Sequence, residues 1–247
     1  MGDNARIFDH LMTGVLGYSS YMASAGDWGA LVCLNLGSDK YPACKALELT
    51  GCPAQPTFGA LLTAPFFLLP TSWRKWLYSK IYSGDELFDF ARVGHFITTG
   101  TGYYIQQMTH PLTIGYAVND SPLGILAWIG DKYHDLVDPD IFPEATDFII
   151  TTVSIYFLTQ TFATATLPYA ENVKSYGERM VITKPYGFSR FPFDVLNFPV
   201  SWVRAQHPKL ILTRSHQRGG HFPGFEVPDL LADDIRAVVS SQGVLFS

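Results

Sequence analysis

The chain has 247 residues, 47% of them hydrophobic, which is enough to bury a substantial core in one or two domains. A net charge of −5 and the lack of a Lys/Arg cluster argue against nucleic acid or an anionic membrane as partner. Cys33, Cys44 and Cys52 are odd in number and lack metal-ligand spacing, so they read as reduced thiols in a cytoplasmic protein, with no metal or cofactor implied. The polar start from Met1 to Phe8 does not read as a signal peptide. In chain order, residues 6–16 have the apolar spacing of a short helix. Tyr18 to Ser24 reads as a strand, Trp28 to Leu36 as a helix with Gly37 as its C-cap, and Ala46 to Leu49 as a second strand. Gly51, Pro53, Pro56 and Gly59 break regular structure, placing a boundary at 54/55.

From 55 to 178 the chain is aromatic and helical in pattern, notably at Trp73–Leu77, Leu123–Tyr133 and Ile149–Thr166. The run Phe58–Pro70 is too short to span a bilayer and reads as a surface-seeking or buried lid segment. After 178, Arg179–Thr183 and Lys209–Thr213 read as buried strands, and Leu230–Val239 as a closing amphipathic helix. The expected architecture is α/β, with core segments 1–54 and 179–247 flanking a helical insertion over 55–178.

The chemistry centres on Ala25-Gly26-Asp27-Trp28-Gly29-Ala30. Small residues around one acid, followed by an apolar helical run, match a nucleophile elbow with Asp where Ser is usual. Glycines permit the sharp turn, and the start of the next helix favours a carboxylate. Unlike serine, a carboxylate is already ionised at neutral pH. A turn Asp ahead of a core helix fits the same six residues. An ester on Asp27 would need a base for its hydrolysis. Of seven histidines, His221 follows Gly219-Gly220 after the last expected strand, where α/β proteins bind ligands; a surface histidine is the competing reading. Asp194 lies among apolar residues in Phe191-Pro192-Phe193-Asp194-Val195 and suits an imidazole partner or a helix N-cap. Tyr103, Tyr104 and Tyr169 are candidate donors to a leaving oxygen, but with 13 tyrosines in the chain spacing alone does not select among them.

The stretches Gly26–Ala30, Tyr103–Tyr116, Asn119–Ile129, Tyr169–Asn172, Gly187–Asp194, Trp202–Leu210, Arg218–Phe222 and Glu226–Arg236 together resemble the epoxide hydrolases of the α/β-hydrolase fold, the microsomal type and its soluble fungal relatives. The resemblance implies that fold with a helical lid, and conversion of a small-molecule epoxide to a vicinal diol through an aspartyl ester. It implies Asp27 as nucleophile, Tyr103 and Tyr169 as lid phenols, His221 oriented by Asp194 as base, and the Trp28 N–H as an oxyanion donor. Haloalkane dehalogenases share Asp-Trp-Gly, and the paired tyrosines favour the epoxide over a halide. The family's upstream His-Gly-x-Pro loop occurs nowhere in the chain, so the N-terminal half of the sheet is expected to be lacking. That leaves an impaired homologue acting at most as a binding protein as the alternative. An exposed edge strand would also favour a homodimer.

Overall fold

The computed structural model describes residues 1–51, 70–172 and 182–241. Two compact units emerge, Met1–Val93 with Met180–Ser247, and Gly94–Arg179. The sequence-based boundaries at 54/55 and 178/179, and nearly all of Phe58–Pro70, lie outside the described residues.

The first unit begins with α1 (Gly2–His10), followed by a π-helical turn, Leu11–Val15. Next come β1 (Tyr21–Ala25), α2 (Asp27–Leu36) and β2 (Cys44–Thr50), and later α3 (Thr71–Tyr78) and α4 (Gly84–Thr99). The division between the units falls within α4. The second unit continues with α5 (Gly102–Thr109), α6 (Pro111–Asn119), α7 (Pro122–Leu136), α8 (Thr146–Thr159), α9 (Phe162–Ala165) and α10 (Leu167–Glu171). The expected run Ile149–Thr166 is therefore interrupted. Gln160 takes a left-handed conformation, φ 55°, which ends α8 before α9 begins. Among the described residues no single helix is long and apolar enough to cross a membrane.

The first unit resumes with β3 (Tyr186–Arg190), α11 (Val200–Gln206), β4 (Leu210–Ser215), α12 (Pro223–Glu226) and α13 (Pro228–Ser241). The third strand among the described residues lies at Tyr186–Arg190. Of the expected strand Arg179–Thr183, Ile182 and Thr183 are outside any strand, a correction, and residues 179–181 lie outside the described residues. The four strands form a parallel sheet in the order β1-β2-β3-β4, so β1 has a strand neighbour on one side only among the described residues. Parallel strands covered on both faces read as continuous apolar runs, and β3 is buried at every position. Helix α2 contributes Ala30, Leu31, Val32, Cys33, Leu34 and Leu36 to the core, where they meet Leu47, Leu49, Tyr186 and Phe188. Gly37 follows α2 in a right-handed conformation, and its value is space, because a Cβ there would come within 2.7 Å of Leu47 Cδ1. On the other sheet face a Cβ at Gly187 would press on Val238 of α13. Cys33 and Cys44 are free and buried in this core.

Candidate active site

The turn from β1 to α2 has the geometry its glycines permit. Asp27 has φ 47°, in the left-handed region that L-residues rarely enter. Holding a residue there costs on the order of 1–3 kcal/mol, and such strain collects where a side chain must be aimed. A Cβ on Gly26 would collide with Thr50 Oγ1 at the end of β2, and one on Gly29 would lie 2.9 Å from Ala25 Cβ. The strand, turn and helix can pack this closely only without those side chains. Asp27 emerges half-exposed at the start of α2, where the helix dipole favours its negative charge. Trp28 is the next residue of that first turn, where helix amides point back toward the N-terminus.

The other two candidates arrive from the ends of β3 and β4. Asp194 sits in the turn after β3, and His221 in the loop after β4. Asp194 Oδ1 lies 2.8 Å from His221 Nδ1 and also accepts from the Leu196 N–H at 3.1 Å. The opposite ring nitrogen, Nε2, lies 3.9 Å from Asp27 Oδ2. Glycine again makes the room: Gly51, with φ 66°, lies beneath Asp194, where a Cβ would come within 3.2 Å of Oδ2. Gly219, with φ 94°, accepts the Phe193 N–H at 3.1 Å, tying the two loops together. Beyond His221, Glu226 holds the Phe222 N–H at 2.8 Å and fixes the exit of the loop.

His221 is nearly enclosed. Burial disfavours its imidazolium, but the charge and hydrogen bond of Asp194, then those of Asp27, outweigh that and raise its pKa to about 10. In the resting site the ring therefore holds a proton between two carboxylates.

Tyr103 of α5 and Tyr169 of α10 both belong to the second unit. Their ring centroids are 5.9 Å apart with planes at 80°, and Tyr104 packs against Tyr169 at the same separation. The Lys132 ammonium lies 4.8 Å from the Tyr103 ring centre. Asp27, Asp194 and His221 are thus brought together in one unit, and the two tyrosines in the other. Among the described residues no cluster of His, Cys, Asp or Glu is arranged to hold a metal ion.

Two polar groups around the site escape sequence reasoning. Beneath the sheet, Glu48 is fully buried and accepts from Ser24 at 2.6 Å, while Ser189, Arg214 and His216 converge on the buried Asp234. Burial pushes the Glu48 carboxyl up to about 7. Beside the Asp194 turn, Asp89 of α4 pairs with Arg190 and accepts from Asn197. The only sequence signal for either group is polar residues inside otherwise apolar runs.

A parallel sheet with an acid on a strained strand–turn–helix after β1, and an Asp–His pair delivered from the ends of β3 and β4, defines the α/β-hydrolase fold. No family model matches the chain. Epoxide hydrolase 1 of Sus scrofa is 33% identical over 246 residues, which takes in 94% of this chain and 53% of that protein. Epoxide hydrolase 1 of Oryctolagus cuniculus is 31% identical, over 94% of this chain and 53% of its own length. The structure of Aspergillus niger epoxide hydrolase superposes with a TM-score of 0.80 at 34% identity, covering 97% of this chain and 57% of that one. The juvenile hormone epoxide hydrolase of Bombyx mori, at 23% identity and a TM-score of 0.79, shares the fold. The chain is a homologue of the epoxide hydrolases of the α/β-hydrolase fold. It spans about half the length of the curated relatives it matches.

Proposed function

We propose that this chain carries the machinery of an epoxide hydrolase working through an aspartyl ester. The observation that carries this reading is the line Asp27, His221, Asp194, with a carboxyl group where a hydrolase would otherwise need an activated hydroxyl. Asp27 attacks an epoxide carbon, the C–O bond breaks, and the departing oxygen takes a proton from Tyr103 or Tyr169. The mutual packing of these two phenols supports their acting as a pair. Ester formation removes the Asp27 charge beside His221, whose Nε2 proton then leaves through water to restore the phenol spent in the first step. In the second step a water attacks the ester carbonyl and gives its proton to the vacated Nε2. Asp194 holds the opposite nitrogen and stabilises the imidazolium that forms. The Trp28 N–H donates to the tetrahedral oxyanion, which collapses to diol and free Asp27. The substrate is a small epoxide, and the placement in the cytoplasm belongs to the same reading.

The test is a single turnover of styrene oxide in heavy-oxygen water. The new diol oxygen should come from Asp27, so the first-turnover product stays unlabelled and the label enters the enzyme. Label appearing directly in that diol would mean attack by water and would remove the covalent route.

A further inference from the structure

The turn over residues 191–197 presents Asp194 but contains no helix or strand of its own. Its backbone is held instead by side chains that trace to one face of α4. Arg92 Nε donates to the Phe193 carbonyl at 2.8 Å, and its guanidinium lies 5.4 Å from the Phe193 ring centre. Asp89, one helical turn earlier, pairs with Arg190 at the end of β3 and accepts from Asn197 Nδ2 at 3.3 Å. Asn197 Nδ2 also donates to the Phe191 carbonyl at 2.7 Å, and Arg190 reaches Ser215 Oγ at 3.1 Å. Asp89, Arg190 and Asn197 are all buried. Residues three apart on a helix share a face, so Asp89 and Arg92 grip the turn from the same side.

We propose that Asp89 and Arg92 of α4, together with Arg190 and Asn197, form a brace whose task is to position Asp194 against His221. Asp194 Oδ1 already accepts from Leu196 N–H within the turn, so its aim is set by the turn's backbone. A tilt of that backbone passes directly into the 2.8 Å contact with Nδ1. The contacts described for the brace residues run to the turn and to the ends of β3 and β4. They are positioning residues, and their catalytic meaning rests on the epoxide hydrolase reading.

The test reads the brace without requiring turnover. Among the described residues the charged groups paired with the His221 ring are Asp194 and Asp27. The His221 ring is titrated by NMR in the wild type, Arg92→Gln, Arg92→Lys and Asn197→Ala, with thermal melts to verify folding. Arg92→Gln and Asn197→Ala should each lower proton affinity about tenfold, one pKa unit, as Asp194 loosens. Arg92→Lys, which keeps the charge, should recover part of the loss. The sign is diagnostic for Arg92→Gln, because removing a cation by charge alone would raise proton affinity. A midpoint that stays put or rises in that variant overturns the proposal. Asn197→Ala is neutral throughout, and should it fail to fold, the part-exposed Arg92 pair carries the decision. Asp194→Asn is the control, and a midpoint insensitive to it would remove the Asp194–His221 coupling and the brace with it. Label entering the first-turnover diol would instead refute the covalent chemistry and leave the brace standing.

Discussion

Replacing Asp27 with Asn should lower the proton affinity of His221, and the structure sets the size of the effect. The two side chains are 3.9 Å apart. At that separation a pair of unit charges interacts by about 4 kcal/mol at an effective dielectric of 20 and about 1 kcal/mol in water. Asp27 is half-exposed, so solvent screening brings the expected value to about 1–2 kcal/mol, or roughly one pKa unit. Asp194 is the stronger of the two supports, and it remains in the variant. Asn tolerates the left-handed backbone of position 27 better than most residues, so the elbow should survive the change. The assay is the His221 ring titration in wild type and Asp27→Asn, where the wild-type midpoint of about 10 should fall by about one unit. An unchanged or higher midpoint would refute the reasoning. An ester on Asp27 carries no charge either, so alkylation should move the imidazole toward its basic form just when a base is needed.

Three further outcomes are expected. His221→Gln should still let Asp27 be alkylated but should stop hydrolysis, so intact mass should show a stable epoxide adduct; normal turnover would remove His221 as the base. Tyr103→Phe and Tyr169→Phe should each slow alkylation, and the double change should cost about 10²–10⁴-fold; a double variant within a few-fold of wild type would clear both phenols of a role. Glu48 carries a pKa raised to about 7 from an ordinary 4.5, so its folding penalty is absent below the lower value, grows as pH rises between the two, and is full above the upper one. Glu48→Gln should therefore stabilise the fold by about 3 kcal/mol at pH 8 and by little at pH 5, measured by urea unfolding; an equal effect at both pH values would contradict this.

The elbow was legible because its constraints are local. Close packing of a strand, a turn and a helix demands glycines at fixed offsets, and Gly26 and Gly29 announce it. His221 was legible through Gly219-Gly220, and Asp194 as an acid stranded among phenylalanines. The third strand was not legible where it lies. Tyr186–Arg190 carries Ser189 and Arg190, polar residues that an apolar-run criterion penalises, yet both are buried, paired with Asp234 and Asp89. Those partners are far away in the chain, and periodicity does not see them. Glu48 misleads in the same way. It is an acid within a strand that is buried along almost its whole length. The break at Gln160 likewise depends on one residue's backbone conformation within a continuous apolar helical pattern.

The two core cysteines bear on how such a protein would survive its own chemistry. An epoxide is an alkylating agent, and a thiolate is a far better trap for it than a carboxylate. Burial pushes the thiols of Cys33 and Cys44 up to about 12. At neutral pH only about one molecule in 10⁵ would then present either as thiolate. Cys44 sits in the packed interior, and Cys33, though buried, borders an apolar cavity beside β1 and α2, so its protection is the protonated thiol. The core that supports the elbow thus keeps its sulfurs as thiols, so that on the proposed chemistry Asp27 is the group alkylated at neutral pH and these sulfurs escape.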